Sequence, residues 1–178
     1  VALAATGAVL SGVAVALLVG AGVAGWWWLW PHNPGMPAKV VRDMAPLQSR
    51  LTVLSEASDN MHLQLLGEIP WERGTLPITL LSYKPDILEK YHVLITGGVH
   101  GNEPAGTEAV VQFAEQLSQG KLEYPGIAFD MVPLVNPWGW IHHWRRNAQG
   151  RDLNREFNTF KAPEAAVMRD LLSRNNYD

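Results

Sequence analysis

Cysteine is absent from the 178-residue sequence. The chain therefore forms no disulfide and offers neither cysteine ligands for a zinc finger nor a thiol nucleophile. Any metal ion that these residues bind must be held by histidine, aspartate or glutamate. An excess of positive charge is absent too, since the formal net charge is −3 and the isoelectric point is near 6.1. Nucleic-acid binding usually depends on a basic patch, so we expect no nucleic-acid partner.

Charge is also missing from residues 1–30, which contain no acidic or basic side chain. This stretch exceeds the roughly 20 apolar residues that cross a bilayer. It also exceeds the core of about 7–15 residues in a cleaved signal peptide, which is the alternative interpretation. We predict a transmembrane anchor at 1–30 and a Pro-rich linker at 31–45. Amphipathic rings favour the lipid headgroups, and four tryptophans crowd the end of the anchor: Trp26, Trp27, Trp28 and Trp30.

The period of the hydrophobic residues changes along the rest of the chain. Helices are predicted at 46–58, between Asn102 as the cap and Gly120 as the stop, and at 162–173. Strands are predicted at 61–67, 77–83, 91–96 and 127–135. This alternation indicates a three-layer α/β/α sandwich with a mixed, largely parallel sheet. The predicted inner faces of the two later helices are Ala109, Val110, Phe113, Ala114 and Leu117 in one, and Val167, Leu171 and Leu172 in the other.

A glycine-rich loop follows the strand at 91–96 and carries two residues that could bind a metal ion. His100 and Glu103 are three positions apart at the entrance to a helix, so their side chains can converge on one ion. The carboxyl end of a strand is where ligands bind in open α/β sheets. His92 more naturally belongs to the strand itself, and His142 and His143 match no ligand spacing.

Four arginines lie within eleven residues further along the chain: Arg145, Arg146, Arg151 and Arg155. Charge runs are most often solvated surface, but a guanidinium group is suited to the bidentate capture of a carboxylate. Asn154 could donate further hydrogen bonds. Asn136-Pro137 and Trp138-Gly139 are typical of a turn, so we expect the arginines on a loop that leaves a strand end on the same side as His100.

Read together, Gly-Gly-Val-His-Gly-Asn-Glu-Pro (97–104), Asn-Pro-x-Gly (136–139) and Arg-x-Asn-x-x-Gly-x-Asp-Leu-Asn-Arg (145–155) resemble the zinc carboxypeptidase family. The resemblance implies that His100 and Glu103 bind Zn²⁺ and that Arg145 stabilises an oxyanion. It further implies that Asn154 and Arg155 bind the terminal carboxylate of a substrate. Trp138 stands where the family often has Asp, which indicates a different substrate selection.

The resemblance covers the N-terminal half of the family's catalytic domain. We assign residues 46–178 to a catalytic domain that is incomplete at its C-terminus, because the family's third zinc ligand and its general-base glutamate would follow Asp178. Residues 176–178 resemble the approach to the strand that carries that third ligand. We expect this fragment alone to be inactive.

The implied function is a zinc metallocarboxypeptidase that cleaves a C-terminal amide bond, with cell-wall peptides as one possible substrate. An anchored periplasmic or extracellular domain would suit that substrate. One alternative is an N-acyl amino acid deacylase of the aspartoacylase and succinylglutamate desuccinylase type, although the spacer between Arg145 and Asp152 has the longer carboxypeptidase form. The other is an inactive module that binds peptide C-termini. Each alternative implies a partner with a free carboxylate.

Overall fold

The computed structural model describes residues 39–178. The predicted anchor at 1–30 and most of the linker at 31–45 lie outside these residues. Between 39 and 178, no helix is both long and apolar enough to cross a bilayer. The helices are α1 (Ala45–Ala57), α2 (Pro104–Ser118), α3 (Pro137–His142), α4 (Pro163–Arg174) and a 3₁₀ turn at Leu153–Arg155. The strands are β1 (Met61–Trp71), β2 (Gly74–Tyr83), β3 (Tyr91–Thr96) and β4 (Ile127–Val132).

The four described strands form one mixed sheet in the order β1-β2-β4-β3. The α/β class and the mixed sheet are thus confirmed. The prediction of a largely parallel sheet is wrong for these strands, because only β3 and β4 run parallel. A tight hairpin joins β1 to β2 and β2 pairs with β4, so both of these pairings are antiparallel. Helix α2 provides the long crossover that a parallel pair needs.

Helices cover both faces of the sheet because successive apolar residues of the strands point to opposite faces. On one face, α1 and α2 bury residues such as Leu51 and Val111 against Leu81 and Met131. On the other face, α3 and α4 bury residues that include Ile141 and Met168 against the sheet. The leucines predicted to face inward from the first helix are all buried: Leu47, Leu51 and Leu54.

Several local predictions need correction. Helix α2 begins at Pro104 with Glu103 at the cap position, so Asn102 is not the cap. Ala109 is exposed and Val111 is fully buried. Within the apolar run at 109–111, the inner face of the helix therefore includes Val111 instead of Ala109. In α4, Leu172 is 44% exposed and Met168 takes the inward position. The stop at Gly120 is confirmed by its left-handed φ of +64°.

Helix α3 is absent from the prediction, which placed a turn at residues 136–139. The side chain of Asn136 accepts a hydrogen bond from the N–H of Gly139 at 2.8 Å. This bond satisfies a backbone donor at the start of α3 and allows a short helix to begin at Pro137. The helix lies beside the glycine-rich loop and is part of the wall of the candidate site.

Candidate active site

The glycine-rich loop at 97–103 runs from β3 to α2 and is fixed by backbone hydrogen bonds. The N–H of Gly97 donates to Val132 at 2.8 Å, and the N–H of Asn136 donates to the carbonyl of Gly98 at 3.0 Å. Gly98 has a φ of +60°, a conformation that other residues rarely adopt. The loop is therefore held by the end of β4 and by the segment that leads into α3.

Gly101 makes the closest approach between the loop and helix α3. A Cβ atom placed on Gly101 would lie 1.9 Å from the carbonyl carbon of Gly139 and 2.3 Å from the nitrogen of Trp140. Only glycine permits this backbone contact. Two glycines from different segments thus set the position of the loop against α3, with His100 next to one of them.

His100 and Glu103 converge as the sequence predicts. The Nδ1 atom of His100 lies 3.2 Å from Oε1 of Glu103. The imidazole is buried, with 8% of its surface exposed, whereas the Glu103 side chain is 58% exposed. The pair therefore joins a fixed imidazole to a carboxylate that solvent reaches.

Asp152 is a site residue that the sequence analysis did not assign. Its Oδ1 atom lies 3.1 Å from Nε2 of His100 and accepts a hydrogen bond from the N–H of Asn154 at 3.2 Å. Burial acts to raise the pKa of Asp152, but hydrogen bonding to His100 and the nearby Arg145 outweigh it and hold the pKa below its ordinary value. A charged carboxylate at Nε2 favours the tautomer that leaves Nδ1 free to bind a metal ion.

Arg145 completes a ring of contacts with these groups. Its Nη1 donates to Oε1 of Glu103 and its Nε donates to Oδ2 of Asp152, each at 3.2 Å. The guanidinium group is 47% exposed, so one side meets the carboxylates and the other meets solvent. The structure thus brings together Arg145 and both predicted metal ligands. Asn154 and Arg155 are exposed on the 3₁₀ turn next to Asp152.

The loop that carries Arg145 and Asp152 is organised from its buried side by Asn147. The Oδ1 atom of Asn147 accepts hydrogen bonds from the N–H groups of Gln149 and Arg151 at 3.0 and 2.9 Å. Its Nδ2 donates to Glu164 at 2.8 Å. Glu164 is fully buried in the first turn of α4, and burial raises the pKa of its carboxyl group. A buried amide and carboxyl pair therefore supports the arginine loop.

The two converging side chains fit a zinc site in part. Ligand atoms of one tetrahedral zinc ion lie roughly 3.3 Å apart, because each is about 2.0–2.1 Å from the metal. The 3.2 Å between His100 and Glu103 agrees with that spacing. Within residues 39–178, no group of three His, Asp or Glu side chains could hold a metal ion together. The structure thus brings together two side chains of the metal-binding type and a carboxylate that contacts one of them.

The remaining candidates lie away from this cluster. His142 is buried, and its Nδ1 lies 2.8 Å from the carbonyl of Lys39. The ring of Trp138 is 4.2 Å from that of His142 and is 7% exposed. Trp138 is thus a core residue, and the expectation that it alters substrate selection finds no support in this position. His92 lies in β3, as predicted, with Nε2 3.2 Å from Asp130.

Comparisons with known proteins give a family-model match and several carboxypeptidase relatives. The family model of the succinylglutamate desuccinylase/aspartoacylase catalytic domain matches residues 89–171. Carboxypeptidase E of Caenorhabditis elegans is 27% identical over 139 residues, which is 65% of this chain and 29% of that protein. Human carboxypeptidase D is 27% identical over 117 residues, which is 54% of this chain and 8% of that protein. The chain therefore spans less than a third of these relatives.

Solved structures show the same fold. A metallo-carboxypeptidase from Burkholderia cenocepacia superposes with a TM-score of 0.67 at 24% identity, over 77% of this chain and 39% of that one. Carboxypeptidase A from Helicoverpa armigera gives a TM-score of 0.63 at 21% identity, over 76% of this chain and 43% of that one. At these identities the likeness establishes the fold alone.

Proposed function

We propose, on the premise that the chain belongs to the zinc carboxypeptidase-like superfamily with the N-terminal part of its catalytic domain, that the protein is a zinc-dependent hydrolase. It would cleave the C-terminal amide bond of a peptide. The observation that carries the proposal is the cluster of His100, Glu103, Arg145 and Asp152, in which each contact is 3.1–3.2 Å. Metal-type ligands and an oxyanion-type donor thus share one site.

His100 and Glu103 would hold the zinc ion together with a ligand from outside the described residues. When bound, zinc would polarise a carbonyl group and lower the pKa of water, which are two of the requirements of amide hydrolysis. Asp152 keeps the His100 ring in one tautomer and orientation through the contact at Nε2. Arg145 presents a half-exposed guanidinium group beside the same ligands, where it can stabilise the negative charge that develops on a carbonyl oxygen.

The substrate carboxylate is assigned to Asn154 and Arg155. Both side chains are exposed, and within residues 39–178 Arg155 has no carboxylate partner. They follow Asp152 by two and three residues, so a terminal carboxylate bound there would lie near the reacting amide. Guanidinium and amide donors are suited to a planar carboxylate.

A comparison of peptide substrates in the complete protein that contains this chain tests the proposal. A peptide with a free C-terminus should be cleaved in a zinc-dependent way, whereas the same peptide with a C-terminal amide should not. The matched variant Arg155→Lys should raise KM for the free peptide more than it lowers kcat. Equal cleavage of both peptides would contradict a role for the terminal carboxylate. Binding of the free peptide without any turnover would instead indicate a binding module.

A deacylase of N-acyl amino acids is the second candidate, and the family-model match at residues 89–171 favours it. Its substrate also has a free carboxylate next to the amide that is cleaved. N-acetylaspartate and N-succinylglutamate would then be hydrolysed faster than any peptide by the same preparation. The longer spacer between Arg145 and Asp152 favours the peptidase.

This 178-residue chain alone is proposed to be inactive, because the described residues supply two zinc ligands rather than three. Zinc-dependent turnover by this chain would contradict that proposal. We also propose that residues 1–30 anchor the protein in a membrane, with the remaining residues in the periplasm or outside the cell, where cell-wall peptides would be the substrate. Protection of residues 39–178 from protease added to intact spheroplasts would contradict this location.

A further inference from the structure

Arg42 lies just before helix α1, and its guanidinium group reaches the glycine-rich loop at 97–103, which carries the proposed metal ligands. Its Nη1 donates to the carbonyl of Gly101 at 2.9 Å and to the carbonyl of Trp140 at 3.3 Å. Its Nη2 lies 2.7 Å from Nδ1 of His143. These partners are 59, 98 and 101 residues away in the sequence, so the contacts are purely tertiary.

Two further contacts fix Arg42, one through its guanidinium group and one through the backbone of its segment. The guanidinium carbon lies 4.6 Å from the centre of the Trp140 ring, within the range of a cation–π contact. The backbone N–H groups of Val41 and Arg42 donate to the carbonyl of Ile141 at 2.6 and 3.0 Å. The segment thus supplies backbone donors to the Ile141 carbonyl, at the C-terminal end of α3 where intrahelical donors run out.

Gly101 is placed between the two metal-type ligands, one residue after His100 and two before Glu103. A hydrogen bond to its carbonyl therefore acts on the backbone that joins them. Gly101 also lies against Gly139, with room for no side chain. The loop is consequently held to α3 by this backbone contact and by Arg42, which bridges the Gly101 and Trp140 carbonyls.

We propose that Arg42 is a positioning residue for the metal site, because its guanidinium group fixes the Gly101 carbonyl to the end of helix α3 and so sets the spacing of His100 and Glu103. The proposal rests on the zinc-dependent function proposed above. The planar guanidinium group spreads fixed donors over two carbonyls and the His143 ring, whereas a lysine places all its donors on a single nitrogen. The segment before the domain's first helix thereby controls the metal-binding loop.

The test compares Arg42→Lys with Arg50→Lys in the full 178-residue chain. Arg50 is a matched control, since it also makes several guanidinium contacts, with Glu108 and Glu115, but none with the metal loop. Both variants should lose similar stability. Only Arg42→Lys should speed amide hydrogen exchange in residues 97–103 without metal, and only it should weaken Co²⁺ binding, by about tenfold.

The two readouts separate the positioning role from the metal function. If the unmodified chain binds no Co²⁺ at His100, the two ligands among the described residues do not suffice without a third, and exchange in the loop alone decides the role of Arg42. Unchanged exchange in residues 97–103 of Arg42→Lys would overturn the positioning role. So would equal effects of the two variants on exchange or on Co²⁺ binding, since those would reflect stability alone.

Discussion

Replacement of Gly101 by alanine should destabilise the domain more than any other single methyl group added to this loop region. The new Cβ would lie 1.9 Å from the carbonyl carbon of Gly139 and 2.3 Å from its oxygen. Ordinary contact begins at 3.4 Å, so the loop and α3 would have to separate by roughly 1.5 Å. Gly101 is not among the residues with positive φ, so the penalty is steric alone.

That separation would break the hydrogen bonds that hold the loop to α3, including the one from Arg42 to the Gly101 carbonyl. Overpacking in a tight core typically costs about 1–3 kcal/mol. Because the obstacle here is backbone on both sides, we expect a loss of about 3 kcal/mol or more. Urea unfolding of the full chain, followed by tryptophan fluorescence, measures this loss.

Gly106→Ala is the matched control in the same strand–loop–helix unit. Its Cβ would meet its nearest atom at 3.5 Å, which is ordinary contact. Gly106 lies inside helix α2, where alanine is favoured over glycine, so a gain of about 0.5–1 kcal/mol is expected. A Gly101→Ala variant within about 0.5 kcal/mol of the unmodified chain would refute the close approach of the loop to α3.

Three further perturbations test the site and its support. Asp152→Asn should weaken Co²⁺ binding by about 10–100-fold in a titration, because the charged partner of His100 is lost; unchanged affinity would rule out an orienting role. Burial raises the pKa of Glu164, so its contribution to stability is complete below the ordinary pKa and declines as the pH rises through the folded value. Glu164→Gln, which keeps an acceptor for Asn147, should therefore resist urea better than the unmodified chain above neutral pH and match it near about pH 4; parallel pH profiles would contradict this. Arg50→Met should cost about 1 kcal/mol, since its ion pairs with two glutamates are partly exposed, and a loss that is identical in 1 M NaCl would exclude an electrostatic cause.

The sequence predicts those parts of the structure that depend on local pattern. His100 and Glu103 converge because they are three positions apart at a helix entrance, which places both side chains on the same side. This spacing can be read from the sequence. Gly120 ends α2 because the residue after the helix adopts a left-handed conformation, and a glycine at this position predicts that conformation. The order of strands and helices follows from hydrophobic period in the same way.

Contacts between distant segments are what the sequence analysis missed. Asp152 contacts His100, which is 52 residues away in the sequence. The motif that contains Asp152 indicates roles for Asn154 and Arg155 instead. The available signal was that a metal-bound histidine usually donates a hydrogen bond from its second ring N–H to a carboxylate or carbonyl oxygen. The sequence predicts a turn where helix α3 forms, because Asn136 and Pro137 favour both, and the hydrogen bond from the N–H of Gly139 to Asn136 decides between them.

Sheet direction was also beyond local pattern. A run of β-branched residues at 91–96 predicts a strand that is parallel to a neighbour, and β3 is indeed parallel to β4. The pairing of β4 with β2 depends on which strand the hairpin presents to it, and that choice is made by long-range packing rather than by either strand alone.

The most direct test of the account is a Zn²⁺ titration of the full 178-residue chain, followed by ¹⁵N NMR of its six histidine side chains. We expect one Nδ1 resonance to move, Asp152→Asn to weaken the response and His100→Ala to abolish it. The resonances of the buried His142 and of His92 in β3 should stay in place. A titration that leaves His100 unchanged while zinc shifts other histidines would contradict the assignment of the metal site.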